Sequence, residues 1–224
     1  DPGSSTSKAT VMGQSMATDR PWWARILSTV LHPLVMPLLT LILLFAFDPY
    51  LRTMPGVFVY LMLVVVVNTV APAISLFVLY RKGVLSDLEI ANRSERTLPF
   101  LIVLAYFILT YVLLVTGDTM YIPAVYLSTL MGLIVSIALA LLITKRFKIS
   151  MHMLGQGGAL GTLMAVQNIH FESHFELNAI LFILAGALGW ARIRLGVHRH
   201  IEVYSGYLLG FGVCFLTVVM GWGG

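Results

Sequence analysis

Seven apolar runs, at about residues 26–47, 55–80, 97–116, 121–144, 153–170, 177–191 and 203–222, constrain this chain more than any other feature. Crossing the hydrocarbon of a bilayer takes about 20 apolar helical residues, and most of these runs have that length. Charged residues make up 11% of the chain and hydrophobic residues 58%, whereas a soluble domain carries roughly a quarter charged residues. The chain therefore reads as an integral membrane protein. A membrane barrel is excluded because its strands alternate polar and apolar residues, while Leu61 to Val67 is apolar at every position. The expected fold is an all-α helix bundle with six to seven transmembrane helices. The runs at 153–170, which carries Gln156, Gln167 and Asn168, and at 177–191, which is short, are the two whose crossing is open, since neighbouring helices can bury such segments.

Residues 1–15 are small and polar, read as a vector-derived remnant, and are expected to be disordered; 16–224 is expected to form one transmembrane domain. The single cysteine, Cys214, lies inside the last run and excludes an internal disulfide.

Of the 14 Lys and Arg residues, all but Arg52 fall on one side of the runs by parity. The positive-inside rule then expects that face to be cytoplasmic. An anionic substrate recruiting the same cations would leave the periplasmic face open.

Three polar segments share this face. Arg192 precedes His198 by six positions, and Glu202 follows His198 by four. On a helix, i and i+4 meet, so Glu202 can take the proton of one His198 nitrogen and leave the other free. Arg192 adds a planar fork suited to two phosphate oxygens. A basic belt against lipid headgroups accounts for the same spacing equally well. In the second segment, Lys148, Ser150 and His152 lead into Gly155-Gln-Gly-Gly158. A Ser at a helix entrance can cap it while free N–H groups face an anion, and His152 can protonate a leaving oxygen. Alternatively Ser150 only caps, and the glycines, Gly157-x-x-x-Gly161 among them, only permit close helix packing. The third segment runs from Asp87 to Pro99, and its Arg93 and Arg96, three apart, either project toward a shared anion or pair with Asp87, Glu89 and Glu95.

Together these segments, over about residues 86–210, resemble the type 2 phosphatidic acid phosphatase superfamily, membrane lipid phosphatases related to vanadium haloperoxidases. Its third motif, Ser-Arg, five residues, His, three residues, Asp, is similar to Ala191-Arg192, His198 and Glu202; its second, Pro-Ser-Gly-His, is similar to Ile149-Ser150-Met151-His152. The first, Lys, six residues, Arg-Pro, departs most, with Glu89 seven positions before Arg96 and Thr97 after it; the Asn92-Arg93-Ser-Glu-Arg96-Thr-Leu-Pro99 form looks like a bacterial subgroup with paired arginines.

The resemblance implies a lipid phosphate or diphosphate phosphatase of a bacterial inner membrane, without metal or other cofactor and without nucleic acid as partner. In it His198 would attack phosphorus to give a phosphohistidine, Glu202 orient it, and His152 protonate the leaving alkoxide. Arg192, Ser150, Arg93 and Arg96 would hold the phosphate oxygens, with Lys148 an added candidate. The alternative is a catalytically weak phospholipid-binding or scaffold protein that keeps the fold. A transporter is disfavoured, because internal repeats and mid-span polar breaks are missing from the sequence. His32, beside Pro33 near the membrane edge, either reaches the site or satisfies carbonyls freed by a proline kink near the cavity, and the second is the expectation. His170, Glu172 and His174 are expected in a solvated loop on the opposite face.

Overall fold

A computed structural model describes residues 21–53, 56–87, 93–117 and 122–224. Its regular structure is helical throughout these residues, in keeping with the all-α expectation. The helices are α1 (Trp22–Val30), α2 (Met36–Phe47), α3 (Pro49–Thr53), α4 (Val57–Arg81), α5 (Thr97–Thr116), α6 (Ala124–Thr144), α7 (Met151–His170), α8 (Phe175–Arg194) and α9 (His200–Val219). Among the described residues five, α4, α5, α6, α8 and α9, are long and apolar enough to cross a membrane. At about 1.5 Å per residue their 20 to 25 residues span about 30 Å or more. The remnant assigned to 1–15, residues 88–92 and Asp118 lie outside the described residues.

The first apolar run is broken where one crossing was expected. α1 ends at Leu31, whose N–H reaches Leu27 O, and α2 restarts with the N–H groups of Val35 and Met36 both on His32 O. Proline explains the interruption: Pro33 offers no N–H and disfavours helical backbone at His32, whereas Pro37 sits in the first turn of α2, where it is tolerated. α4 carries a second irregularity, a π-helical stretch Val64–Val70. Asn68 is fully buried there and accepts from Thr110 Oγ1 of α5, the cross-helix bond expected of such a residue. Thr69 Oγ1 donates to Leu34 O in the turn after α1.

α7 is 20 residues long yet falls short of the hydropathy of a lipid-facing span, because its surroundings are protein. Its glycines are the cause. A Cβ on Gly157 would stand 2.1 Å from Tyr207 O of α9, and one on Gly210 of α9 would stand 2.1 Å from Leu154 O of α7. Gly161 and Gly206 are closed off in the same way, by Phe211 O at 2.4 Å and Ser150 O at 2.6 Å. The two backbones are thus in direct contact over three turns, the small-residue packing that holds helices together where no hydrophobic drive exists between them. α2 covers another side of α7, with Met36 against Gly155.

α8 extends past the 177–191 expected, from Phe175 to Arg194. Its last turn carries Arg192 beyond the apolar run, which stops at residue 191. At the opposite end of the bundle His170 Nδ1 meets Asp48 Oδ2 at 2.7 Å, and His174 meets Glu172 at 3.5 Å. Asp48 is 6% exposed and its Oδ1 also accepts from Leu51 N–H. The loop itself is exposed from Phe171 to Ser173, as expected, and buried Asp48 is the partner that ties the end of α2 to the end of α7.

Candidate functional site

The glycine contact between α7 and α9 brings the beginnings of both helices together. Ser150, the residue before α7, donates its N–H to Glu202 O in the first turn of α9 at 3.1 Å. Glu202 turns its carboxylate back over the helix start, where Oε2 accepts from Arg199 N–H at 3.2 Å and from His198 Nδ1 at 2.9 Å. A carboxylate can only accept, so Nδ1 carries the hydrogen and Nε2 is the ring nitrogen left to a ligand. The Glu202 bond is the one the i, i+4 spacing leads one to expect, although His198 itself precedes α9.

Arg96 comes in from the start of α5 and donates from Nη1 to Ile149 O at 3.0 Å, which fastens the third polar segment to the second. Upstream, Ser86 N–H and Oγ both donate to Glu95 Oε2, at 2.8 and 2.9 Å, and hold the approach to this turn. Arg93 opens the short 3-10 turn Arg93–Glu95, but its side chain lies outside the described part of the structure. Arg96 and Arg192 are 5% and 2% exposed. Removing a cation from water costs several kcal/mol unless something charged or polar compensates, and in a membrane bundle such buried charges mark functional positions. Ser150 Oγ is buried without a hydrogen-bond partner among the described residues. Lys148 is half-buried beside the same group.

The electrostatics follow from this crowding. Burial lowers His198 below its ordinary 6.5; the Glu202 bond opposes the shift, and the charges of Arg96, Arg192 and Lys148 add to it. Lys148 is lowered by burial and by Arg96, with Arg192 acting the same way against Glu202 and Asp87. Arg96 and Arg192 press on each other likewise. An anion placed among the three cations relieves all of these repulsions at once.

His152 is held by a partner the sequence gave no sign of. Its Nε2 lies 3.1 Å from Ser28 O of α1, and since a carbonyl only accepts, Nε2 carries a hydrogen and Nδ1 is the nitrogen open to exchange. α1 is seated for this by Trp23, stacked on Trp190 of α8 at 4.6 Å, and by an apolar cluster of Ala24, Ala191 and Leu195. Ala191 therefore packs against α1. His32 lines the site as well, with its ring edge-on to His152 at 5.4 Å; its Nδ1 accepts from Leu34 N–H at 3.3 Å, which differs from the expected role of bonding freed carbonyls.

Five of these side chains line one end of a cavity of about 130 Å³. Arg96, Arg192, His32, His152 and His198 stand at its polar end. From there it runs inward between α2, α4, α5, α6 and α7, past Met36, Phe100 and Leu130 to Leu44 and Tyr60, with an almost wholly apolar lining. A single buried water needs about 10–15 Å³ on this measure, so the space exceeds what one or a few solvent molecules fill.

Compared with family models, curated proteins and solved structures, the chain matches none.

Proposed function

We propose that this chain is a membrane-embedded phosphatase acting on a lipid phosphate or lipid diphosphate through a phosphohistidine. The observation that carries the reading is the junction of two chemistries in one cavity. A buried His198–Glu202 pair beside Arg96 and Arg192 stands at the polar end, and an apolar space inside the bundle continues from it. A headgroup phosphate suits the first and an alkyl chain the second, with the lipid entering from the bilayer.

In the proposed cycle the Nε2 lone pair of His198 attacks phosphorus, and the bond from phosphorus to the ester oxygen breaks with its electron pair on that oxygen. His152, with Nε2–H held on Ser28 O, takes the proton of the entering phosphate monoanion on Nδ1 and gives it to the leaving oxygen. The phosphorylated His198 ring is cationic, and Glu202 stabilises it through Nδ1–H. Water then attacks phosphorus, its proton passes to His152 Nδ1, and the P–N bond breaks back to His198. Arg192 and Arg96 stabilise the equatorial oxygens, with Lys148 and the Ser150 hydroxyl as further donors. Arg93 joins them on the strength of the resemblance alone.

The chain in this reading crosses the membrane seven times, with α1 and α2 together making the first crossing and the protein-buried α7 the fifth. The cation-rich end, which carries Arg81, Lys82, Lys145, Arg146, Arg194 and Arg199 besides the site, is assigned to the cytoplasm by charge bias.

The test is release of inorganic phosphate from a panel of phosphatidate, phosphatidylglycerophosphate and polyprenyl diphosphate by the purified protein in detergent, with chelator present. Release from at least one is expected; release from none sinks the phosphatase reading. The pH profile provides a second check. Only neutral His198 is a nucleophile, and a folded value below 6.5 keeps it neutral into more acidic solution. The acid limb of kcat/KM is therefore expected to have its midpoint below pH 6.5; a midpoint at or above 6.5 contradicts the proposed environment of His198.

A further inference from the structure

We infer that His32, in the break between α1 and α2, is a substrate-touching hydrogen-bond donor that contacts the phosphate through Nε2–H. The inference rests on the phosphatase reading and adds a residue outside the three polar segments. Four observations support it. His32 lines the polar end of the cavity together with His152, Arg192 and His198. Its Nδ1 accepts from Leu34 N–H, so the imidazole hydrogen is on Nε2, the nitrogen at the far side of the ring from that backbone bond. Its ring stands edge-on to His152, and the Arg192 charge acts on it directly. Finally, the break that carries it is fixed and not frayed: Pro33 interrupts the helix, Val35 and Met36 donate to His32 O, and Thr69 Oγ1 of α4 donates to Leu34 O.

The chemistry follows from the tautomer. Because Nδ1 is an acceptor, His32 cannot carry two hydrogens without breaking the bond to Leu34, so it serves as a neutral donor and not as the acid of the cycle. A neutral N–H aimed at a phosphoryl or leaving oxygen stabilises charge that grows in the transition state. It also complements His152, whose Nε2–H is already committed to Ser28 O. The break between α1 and α2 thus brings a further donor to the anion, from outside the three polar segments.

The experiment compares His32→Asn with wild type and with His32→Gln. The Asn carbonyl can take over the Leu34 N–H as an Asx turn, which preserves the break while withdrawing the distal N–H; Gln returns an N–H donor on a longer arm. Two readouts are made on each protein in detergent: kcat for phosphate release, and affinity for orthovanadate. A hydrogen bond to a charged group corresponds to roughly a 10- to 100-fold effect. His32→Asn is expected to lose about that factor in both readouts at an unchanged unfolding temperature, with partial recovery in His32→Gln. Wild-type kcat and vanadate affinity in His32→Asn overturn the inference. If the wild-type protein releases no phosphate, the phosphatase reading fails separately, and vanadate affinity alone decides His32: weakened in His32→Asn upholds it, unchanged overturns it.

Discussion

Glu202→Gln is expected to lower kcat for phosphate release by about 10²-fold or more while the start of α9 stays folded. Both hydrogen bonds of this side chain, from His198 Nδ1 and from Arg199 N–H, end on the same oxygen, Oε2. An amide oxygen in that position can accept both, so the substitution removes the charge and little of the geometry. In the proposed cycle the charge acts when His198 becomes a phosphorylated cation, in a site where Arg96, Arg192 and Lys148 already repel positive charge. Losing a carboxylate there costs more than losing it in water. His198→Ala is expected to be the more severe single change, since it removes the nucleophile. The two effects do not add: the carboxylate has no catalytic role without the ring, so the double variant is expected to match His198→Ala alone. Measured kcat values for the three variants decide the matter. A double variant slower than His198→Ala by the full Glu202→Gln factor shows that Glu202 acts independently of His198, which contradicts the assigned pair.

The parts of the molecule legible in the sequence are those whose physics is local. A lipid-facing helix must be apolar around its whole circumference, so α4, α5, α6 and α9 appear as uninterrupted runs, close to where the structure has them. The His198–Glu202 bond is also local, four positions along one chain. α7 is legible as the run 153–170, but its crossing is not, because hydropathy measures fitness for lipid, and Gly157, Gly161 and Gln156 face protein. The end of α8 is not legible for the converse reason: the apolar run stops at residue 191, whereas the helix continues through Arg192 and buries it at 2% exposure. Contacts between distant segments gave no sequence signal at all. Nothing near Ser28 marks its carbonyl as the partner of His152, 124 positions away. A usable signal existed for His32: an imidazole at a double-proline break in an apolar run is a polar group the membrane would not otherwise accommodate. The break itself borders the cavity, which composition and spacing alone do not show.

The same long-range packing sets the distance between His152 and His198, the two histidines of the proposed cycle, and this leads to the second large expected effect. His152 lies in the first turn of α7, and His198 is bonded to the first turn of α9, so their separation is fixed by how closely these helices approach. Gly157→Ala places a methyl 2.1 Å from Tyr207 O, whereas ordinary contact begins at 3.4 Å. Because the obstructing atom is backbone, no rotamer change relieves it, and α7 and α9 must move apart by about 1 Å. Displacements of that size between reacting groups cost about 10²-fold in rate. Gly157→Ala is therefore expected to lower kcat by about 10²-fold and to lower the unfolding temperature in detergent. Gly212→Ala is the internal control on α9 itself: a Cβ there meets nothing within 4 Å, and replacing a mid-helix glycine by alanine is worth roughly 0.5–1 kcal/mol in the opposite direction. It is expected to keep wild-type kcat at an equal or higher unfolding temperature. Should both variants behave alike, glycine would matter only for helix propensity, and the α7–α9 contact would not be what positions the site.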